Sequence, residues 1–430
     1  MAIETNVALL GYGTVGAAVD DLLRASADDI ERATGHRLRL VRALVRDATR
    51  TRGAADGLLT TEFAEIAADP SIAVVAEVMG GLQPAGDYVL ELLSRGKHVV
   101  TANKQLVARR ASELFATASR AGVQLRFEAS VCAAIPVIKI LREALVVTNV
   151  HRVLGIVNGT TNFVLTEMEN GTSYADALAD AQARGYAEAD PTDDVSGADA
   201  AAKMAILATT AFKSLVPLEH VGYAGITGID PLDVAAAREL EMVVRLVGAA
   251  RLVEGGYDVR VEPAFVDEQH PLARVDGAFN AVMLHGDAIR ELTLSGPGAG
   301  GTETASAVIA DITSVLGAGG AGPSDGTWRS LARLPPGEAR SPYYFRLFVD
   351  DRPGALARVA DGLAHHEISI ARLVQHQNGS GATLHVVSHE APAGALDAAL
   401  TQLAALPEVR RRSRPIPVVS DRGVAELGWA

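Results

Sequence analysis

Five carboxylates and one lysine crowd the stretch GYAEADPTDDVSGADAAAKMAIL, which runs from Gly185 to Leu207. Glu188, Asp190, Asp193, Asp194 and Asp199 all precede Lys203, in a chain whose net charge is already −13. Like charges this close repel, so the clustering needs a reason. A carboxylate can hold an ammonium group, and a lysine can stabilise a developing alkoxide and then protonate it. Asp199 and Lys203 stand four apart in the helix-forming run SGADAAAKMAIL, which puts them on one helix face. Pro191 and DVSG make the preceding segment a loop, so Glu188 and Asp190 arrive from another direction. Two elements converging on one small molecule would give the acid a purpose. On spacing alone, a surface ion pair worth about 0.3–0.5 kcal/mol beside a solvated acidic loop explains the pattern as well.

Lys104 is the second lysine with a place to act. It follows HVVTA, at the carboxyl end of an expected parallel strand, where doubly wound sheets bind ligands. The first such strand, NVALL, ends in Gly11-Tyr12-Gly13-Thr14-Val15-Gly16, a G-x-G-x-x-G turn that opens a helix. Gly11 permits the turn, Gly13 lets backbone approach a pyrophosphate, and Gly16 lets helix and strand pack closely. The helix N-terminus then presents unpaired N–H groups to the anion. This predicts a dinucleotide site. At the end of the second strand stands Arg46, followed by Arg50 and Arg52. A guanidinium there suits a 2′-phosphate and favours NADPH, with NADH possible. Asp47 is the rival, because a one-residue slip would put a carboxylate at the ribose.

Those residues require a scaffold of alternating strands and helices. LRLVRALVRD, SIAVVAEVMGG, GKHVVTANK and VQLRFEASV read as strands with helical stretches between them, which predicts an α/β, Rossmann-type doubly wound parallel sheet over residues 1–136. Residues 137–298 mix helices such as IPVIKILREAL with strands such as VHRVLGIVN and VRVEPAFVD, an α+β substrate-binding and dimerisation domain. A glycine-rich linker is expected at 317–341, around LGAGGAGPSDG. Residues 342–420 read strand, helix, strand, strand, helix, strand, the pattern of a ferredoxin-like module. The acidic balance argues against nucleic acid, and the sequence holds no apolar run of the roughly 18 residues that span a membrane. A single cysteine, Cys132, and an N-terminus unlike a signal peptide point to the cytoplasm. With no histidine near it in sequence, Cys132 is not read as a nucleophile.

Several stretches together resemble the homoserine dehydrogenase family: GYGTVG, VMGGLQPA, GKHVVTANKQLVA, FEASVCAAIP, GIVNGTTNFVL, the acid-rich stretch above, and GPGAGGTETASAVIADI. They stand in the family's order and cover roughly residues 5–315. The tail around DDRPGALARVA resembles an ACT domain, an amino-acid-sensing module. The resemblance implies reduction of L-aspartate 4-semialdehyde to L-homoserine with NAD(P)H, on the way to threonine, methionine and isoleucine. It implies that Lys203 donates the proton and that Lys104 is a charged partner near the cofactor. Glu188 and Asp199 would hold the substrate, with Asp194 and Gly185 beside them. A helix from about 299–316 would rejoin the nucleotide domain, bringing Gly300 to the cofactor. A sodium or potassium ion would be held by Glu128 and the carbonyls of Val131, Ala133 and Ile135. Threonine would be the ACT effector, with the Asp350–Arg352 turn and Pro353-Gly354 at a helix start receiving its carboxylate. A homodimer or homotetramer is implied as well.

Two departures stand out. Cys132, Ala133 and Ala134 occupy positions where glycines are usual, and a side-chain methyl restricts the backbone, so cation binding is expected to be weak or lost. Glu303 replaces a usual proline near the cofactor. The alternatives are a reductase of another amino-acid semialdehyde, or an ACT-based sensor without catalysis. Retention of both lysines speaks against the sensor.

Overall fold

The computed structural model describes residues 2–49, 53–317, 329–335, 337–378 and 381–419. Arg50, Arg52 and the central part of the expected linker, 318–328, lie outside the described residues. The described residues fall into two compact units: one takes those within 1–159, 199–221 and 279–330, the other those within 160–198, 222–278 and 331–419.

The first unit is built on a six-stranded parallel sheet. Its spatial order is Leu59–Thr60, His36–Leu44, Ile3–Leu10, Ile72–Glu77, His98–Thr101, Leu125–Arg126. The strand order reverses between Ile3–Leu10 and Ile72–Glu77, and ligands bind outside the carboxyl ends at such a point. Val7–Leu10 and Val74–Ala76 are fully buried, as expected for strands covered on both faces. The helix Gly301–Gly317 returns to this core from far along the chain, where Ala305, Val308, Ile312 and Val315 pack with Val19 and Leu23 of the helix Thr14–Ala25. A three-stranded antiparallel sheet, Val150–Ile156, Phe279–Gly286 and Arg290–Pro297, completes the unit.

In the second unit the long hairpin Met242–Val253 and Gly256–Asp267 continues, through Ile416–Val419, into the C-terminal sheet. That sheet runs Val409–Arg412, Tyr343–Asp350, Gly381–Ser388, Ile370–Asn378, the order expected of a split βαβ module. Helices Ala355–Ala364 and Ala393–Ala404 cover one face through Val359, Leu363, Leu396 and Leu403. Tyr344 stacks on Phe265 with ring centroids 4.3 Å apart, and buried Arg346 pairs with Asp233 at 2.9 Å.

Four local expectations are corrected. VQLRFEASV forms sheet only at Leu125–Arg126, because Glu128–Ser130 closes a 3₁₀ turn. IPVIKILREAL is helical, but its second half, Ile140–Ala144, is a wide π turn. The last strand is two short ones, Val409–Arg412 and Ile416–Val419, split at Ser413–Pro415. Pro353 lies outside its helix: Gly354 is the N-cap, at φ +88°, and the helix begins at Ala355.

Candidate active site

The helix Lys104–Ala121 starts where the strand His98–Thr101 ends. Asn103 caps it, its side-chain oxygen accepting from the Leu106 N–H at 3.1 Å, while its amide donates to the Gly81 carbonyl at 2.6 Å. Lys104 is thereby fixed at the first helical position. Behind it, fully buried Glu77 accepts from the Met79 and Gly80 amides at 2.8 and 3.1 Å and from the Thr101 hydroxyl at 2.6 Å. Burial pushes its carboxyl up, and these donors oppose the shift. Glu77 thus ties the ends of two neighbouring strands together.

Asp199 and Lys203 ride on the helix Ala198–Phe212, whose many alanines let almost every other residue be buried. Their Nζ–Oδ2 distance is 2.9 Å, so the i,i+4 spacing does form an ion pair. It is not a surface pair, since Asp199 is only 4% exposed. Its other oxygen takes the Lys104 ammonium at 2.8 Å. Asn158, just past the strand Val150–Ile156, donates to Oδ2 at 2.9 Å, and the adjacent Val157 carbonyl accepts from Lys203 at 2.8 Å. Burial alone would raise the Asp199 carboxyl, but the two ammonium groups outweigh it and hold it well below the usual carboxylate range.

Glu188, Asp194 and Gly185 belong to the second unit. Gly185 turns the chain at φ +76° after the helix Tyr174–Ala183. Glu188 is exposed, and Asp194 is half-buried in the short helix Thr192–Val195. Asp190 shapes the loop, accepting from the Thr192 hydroxyl at 2.6 Å and its amide at 3.2 Å.

At the glycine turn the three residues differ as their roles require. Gly11 sits at φ +106°, and a Cβ there would come within 3.0 Å of the Val78 carbonyl oxygen; a Cβ on Gly16 would collide with the Gly11 carbonyl. Gly13 faces open space at the N-cap of Thr14–Ala25, where a diphosphate can approach. Tyr12 is buried, its hydroxyl donating to Asp20 at 2.6 Å, while Thr14 and Val15 begin the helix. Gly301 packs so closely on Thr14 that a Cβ would stand 2.9 Å from its methyl, and Glu303 folds back over Gly300, itself at φ +136°. Arg46 is exposed, two residues beyond the strand end at Leu44. Asp47 is engaged in its own turn, accepting from the Thr49 amide at 2.9 Å and hydroxyl at 2.6 Å. These residues fit a dinucleotide.

The expected cation site fits less well. Both carboxylate oxygens of buried Glu128 already accept backbone N–H groups, from Ile138 at 2.8 Å and Lys139 at 2.6 Å. The Ile135 carbonyl takes the Val137 N–H at 2.8 Å. Burial and the neighbouring Asp311 push the Glu128 carboxyl up to about 7. Val131 and Ala133 are buried beside them. Ala133 does adopt φ +40°, so the methyl does not forbid a glycine-like backbone but strains it, by about 1–2 kcal/mol. Burial pushes the Cys132 thiol up to about 11 in spite of nearby Lys203, which excludes a ready thiolate.

Sequence reasoning gave no role to Glu77, Asn158 or Thr160. The signal available for Asn158 and Thr160 was their place in NGTTN, directly after a strand.

The family model for homoserine dehydrogenase matches residues 136–313, that for the homoserine dehydrogenase NAD-binding domain residues 11–128, and that for the ACT domain residues 343–408. A Mycobacterium tuberculosis homoserine dehydrogenase is 44% identical over 407 residues, 91% of this chain and 92% of its own. One from Corynebacterium glutamicum is 38% identical, covering 94% and 93%. A solved homoserine dehydrogenase from Thiobacillus denitrificans superposes with a TM-score of 0.93 at 39% identity, over 97% of this chain and 98% of that one. A hyperthermophilic archaeal homoserine dehydrogenase, solved with NADPH, gives a TM-score of 0.63 at 27% identity over 73% and 98%.

Proposed function

The chain belongs to the homoserine dehydrogenase family, and we propose that its NAD(P)-dependent reduction of L-aspartate 4-semialdehyde to L-homoserine runs on the Lys104–Asp199–Lys203 cluster with Lys203 as proton donor. A bound nicotinamide supplies the hydride to the aldehyde carbon. The Lys203 ammonium, held by Asp199 and the Val157 carbonyl, stabilises the forming alkoxide and passes it a proton. Lys104 is the charged partner toward the cofactor. Glu188 and Asp199 hold the substrate's ammonium, with Asp194 and Gly185 in the same subsite. The functional division is 1–136 with about 299–316 for the nucleotide, 137–298 for substrate and dimerisation, 317–341 as linker and 342–420 for regulation. The observation that carries this reading is the single buried carboxylate shared by two lysines. Comparing L-aspartate 4-semialdehyde with succinate semialdehyde, which lacks the ammonium, tests it. A large loss of kcat/KM is expected for the latter, and equal rates would remove the carboxylates' role.

NADPH is the preferred cofactor, because Arg46 stands exposed at the ribose end while Asp47 is engaged in its own turn. Arg46→Ala should weaken NADPH by about 1.5–3 kcal/mol, the value of a hydrogen bond to a charged group, and leave NADH nearly unchanged. Equal losses would make Arg46 structural. No step runs through sodium or potassium. Turnover should be indifferent to exchanging them for a bulky organic cation at constant ionic strength, and saturable activation by either ion would restore the cation site.

The ACT module is proposed to sense threonine, in a cytoplasmic homodimer or homotetramer. The Asp350–Arg352 turn is less open than the sequence suggested. Arg352 and Arg358 both pair with Glu408, Arg410 pairs with Asp350, and the Arg352 N–H is taken by the Asp350 carbonyl. Threonine at millimolar levels should still raise KM or lower kcat, since an effector must bind the two activity states unequally. Calorimetry without binding, together with unchanged kinetics, would leave the module an assembly element. Deleting the module is a poor test, because it would break the buried Arg346–Asp233 pair.

A further inference from the structure

The loop that carries Glu188 is held at several points while Glu188 itself stays exposed. Gly185 donates to the Gln182 carbonyl at 3.1 Å, and the Tyr186 and Ala187 amides both donate to the Ala181 carbonyl, at 2.8 and 3.2 Å. Those bonds fix the loop to the end of its own helix. A second element grips it from outside. Thr160, 6% exposed at the start of the helix Gly159–Glu169, donates its hydroxyl to the Tyr186 carbonyl at 2.5 Å. One turn on, Phe163 packs its ring against that of Tyr186, with centroids 5.2 Å apart, and the Arg184 guanidinium lies over the Phe163 ring, 5.2 Å from its centroid. Beyond Tyr186, the Gln182 amide reaches the carbonyls of Glu188 and Ala189 at 3.2 and 3.3 Å.

We propose that Thr160 is a positioning residue, whose hydroxyl on the Tyr186 carbonyl presets the backbone from which Glu188 meets the substrate's ammonium. This rests on the reading of Glu188 as a substrate ligand. An exposed carboxylate on a mobile loop would lose conformational entropy on each binding event, and a clamped backbone removes that loss in advance. Of the hydrogen bonds named, the Thr160 bond is the one made from another element, and Thr160 itself is buried. The Gln182 contacts are long and open to water, so they add less.

Thr160→Val keeps the shape and removes the hydroxyl. It should raise KM for L-aspartate 4-semialdehyde about 3- to 10-fold, the equivalent of one hydrogen bond, with kcat and the NADPH dissociation constant nearly unchanged. Thr160→Ser should restore KM. In a Glu188→Gln background, Thr160→Val should add no further rise, since the loop then has no carboxylate to aim. Melting curves of all variants show whether the fold is kept. If Glu188→Gln raises KM but Thr160→Val does not, the inference fails while the Glu188 assignment stands. Additive effects of the two substitutions would also overturn it, by showing that Thr160 acts elsewhere. If Glu188→Gln leaves KM unchanged, the Glu188 assignment fails, and the inference with it.

Discussion

Replacing Lys203 by methionine is expected to lower kcat by about 10²-fold or more, the range that general acid catalysis supplies. Methionine preserves the apolar stem that packs in the helix Ala198–Phe212 and removes only the ammonium. The side chain is 11% exposed, and its partners are Asp199 and the Val157 carbonyl, so the loss falls on the site rather than on a solvated surface charge. NADPH affinity, read by fluorescence, should stay near normal, because the glycine turn and Arg46 are untouched. A Lys203→Met enzyme retaining most of its kcat would take Lys203 out of the mechanism and turn attention to Lys104.

Asp199→Asn should be the most destabilising change at the site, by about 3 kcal/mol, the consequence of leaving a buried charge without its partner. Lys203 carries most of that, since Lys104 is 37% exposed and water can take up its charge. The pH dependence has a definite sign. The Asp199 carboxyl titrates below its usual value near 4 when folded, so the folded chain releases its proton more readily than the unfolded one. The stabilisation is therefore complete above about pH 5 and fades as the pH falls below 4 toward the folded value. Chemical denaturation of both proteins should show a constant gap from neutral to mildly acidic pH that narrows in stronger acid. A gap that is absent at neutral pH, or that does not narrow in acid, would contradict the assignment of charge in the cluster.

What could be read from sequence was what repeats or lies close along the chain. Apolar runs of strand length marked the parallel sheet, and Gly11, Gly13 and Gly16 marked its turn, because each answers a local steric demand. The i,i+4 spacing of Asp199 and Lys203 gave their pairing. Contacts between distant segments left no such trace. Asn158 lies 41 residues before Asp199, and nothing periodic announces that its amide ends on that carboxylate. The pairing of Lys104 with Asp199 left no trace for the same reason: only the fold brings the strand end at Thr101 and the helix Ala198–Phe212 to a shared acid. Glu77 looked like the last residue of a strand, and its three donors come from the turn after it and from the neighbouring strand. At Ala133 the residue type misled, since the loop imposes a left-handed backbone that alanine tolerates with strain. VQLRFEASV had strand composition throughout, yet Glu128 is drawn out of the sheet to cap Ile138 and Lys139.

Steady-state oxidation of NADPH by the full chain with L-aspartate 4-semialdehyde is the most direct measurement. Rapid turnover, faster with NADPH than with NADH and slowed about 10²-fold or more in Lys203→Met, is the predicted result. Tight binding of NADPH and aldehyde without turnover, or turnover confined to a different semialdehyde, would contradict it.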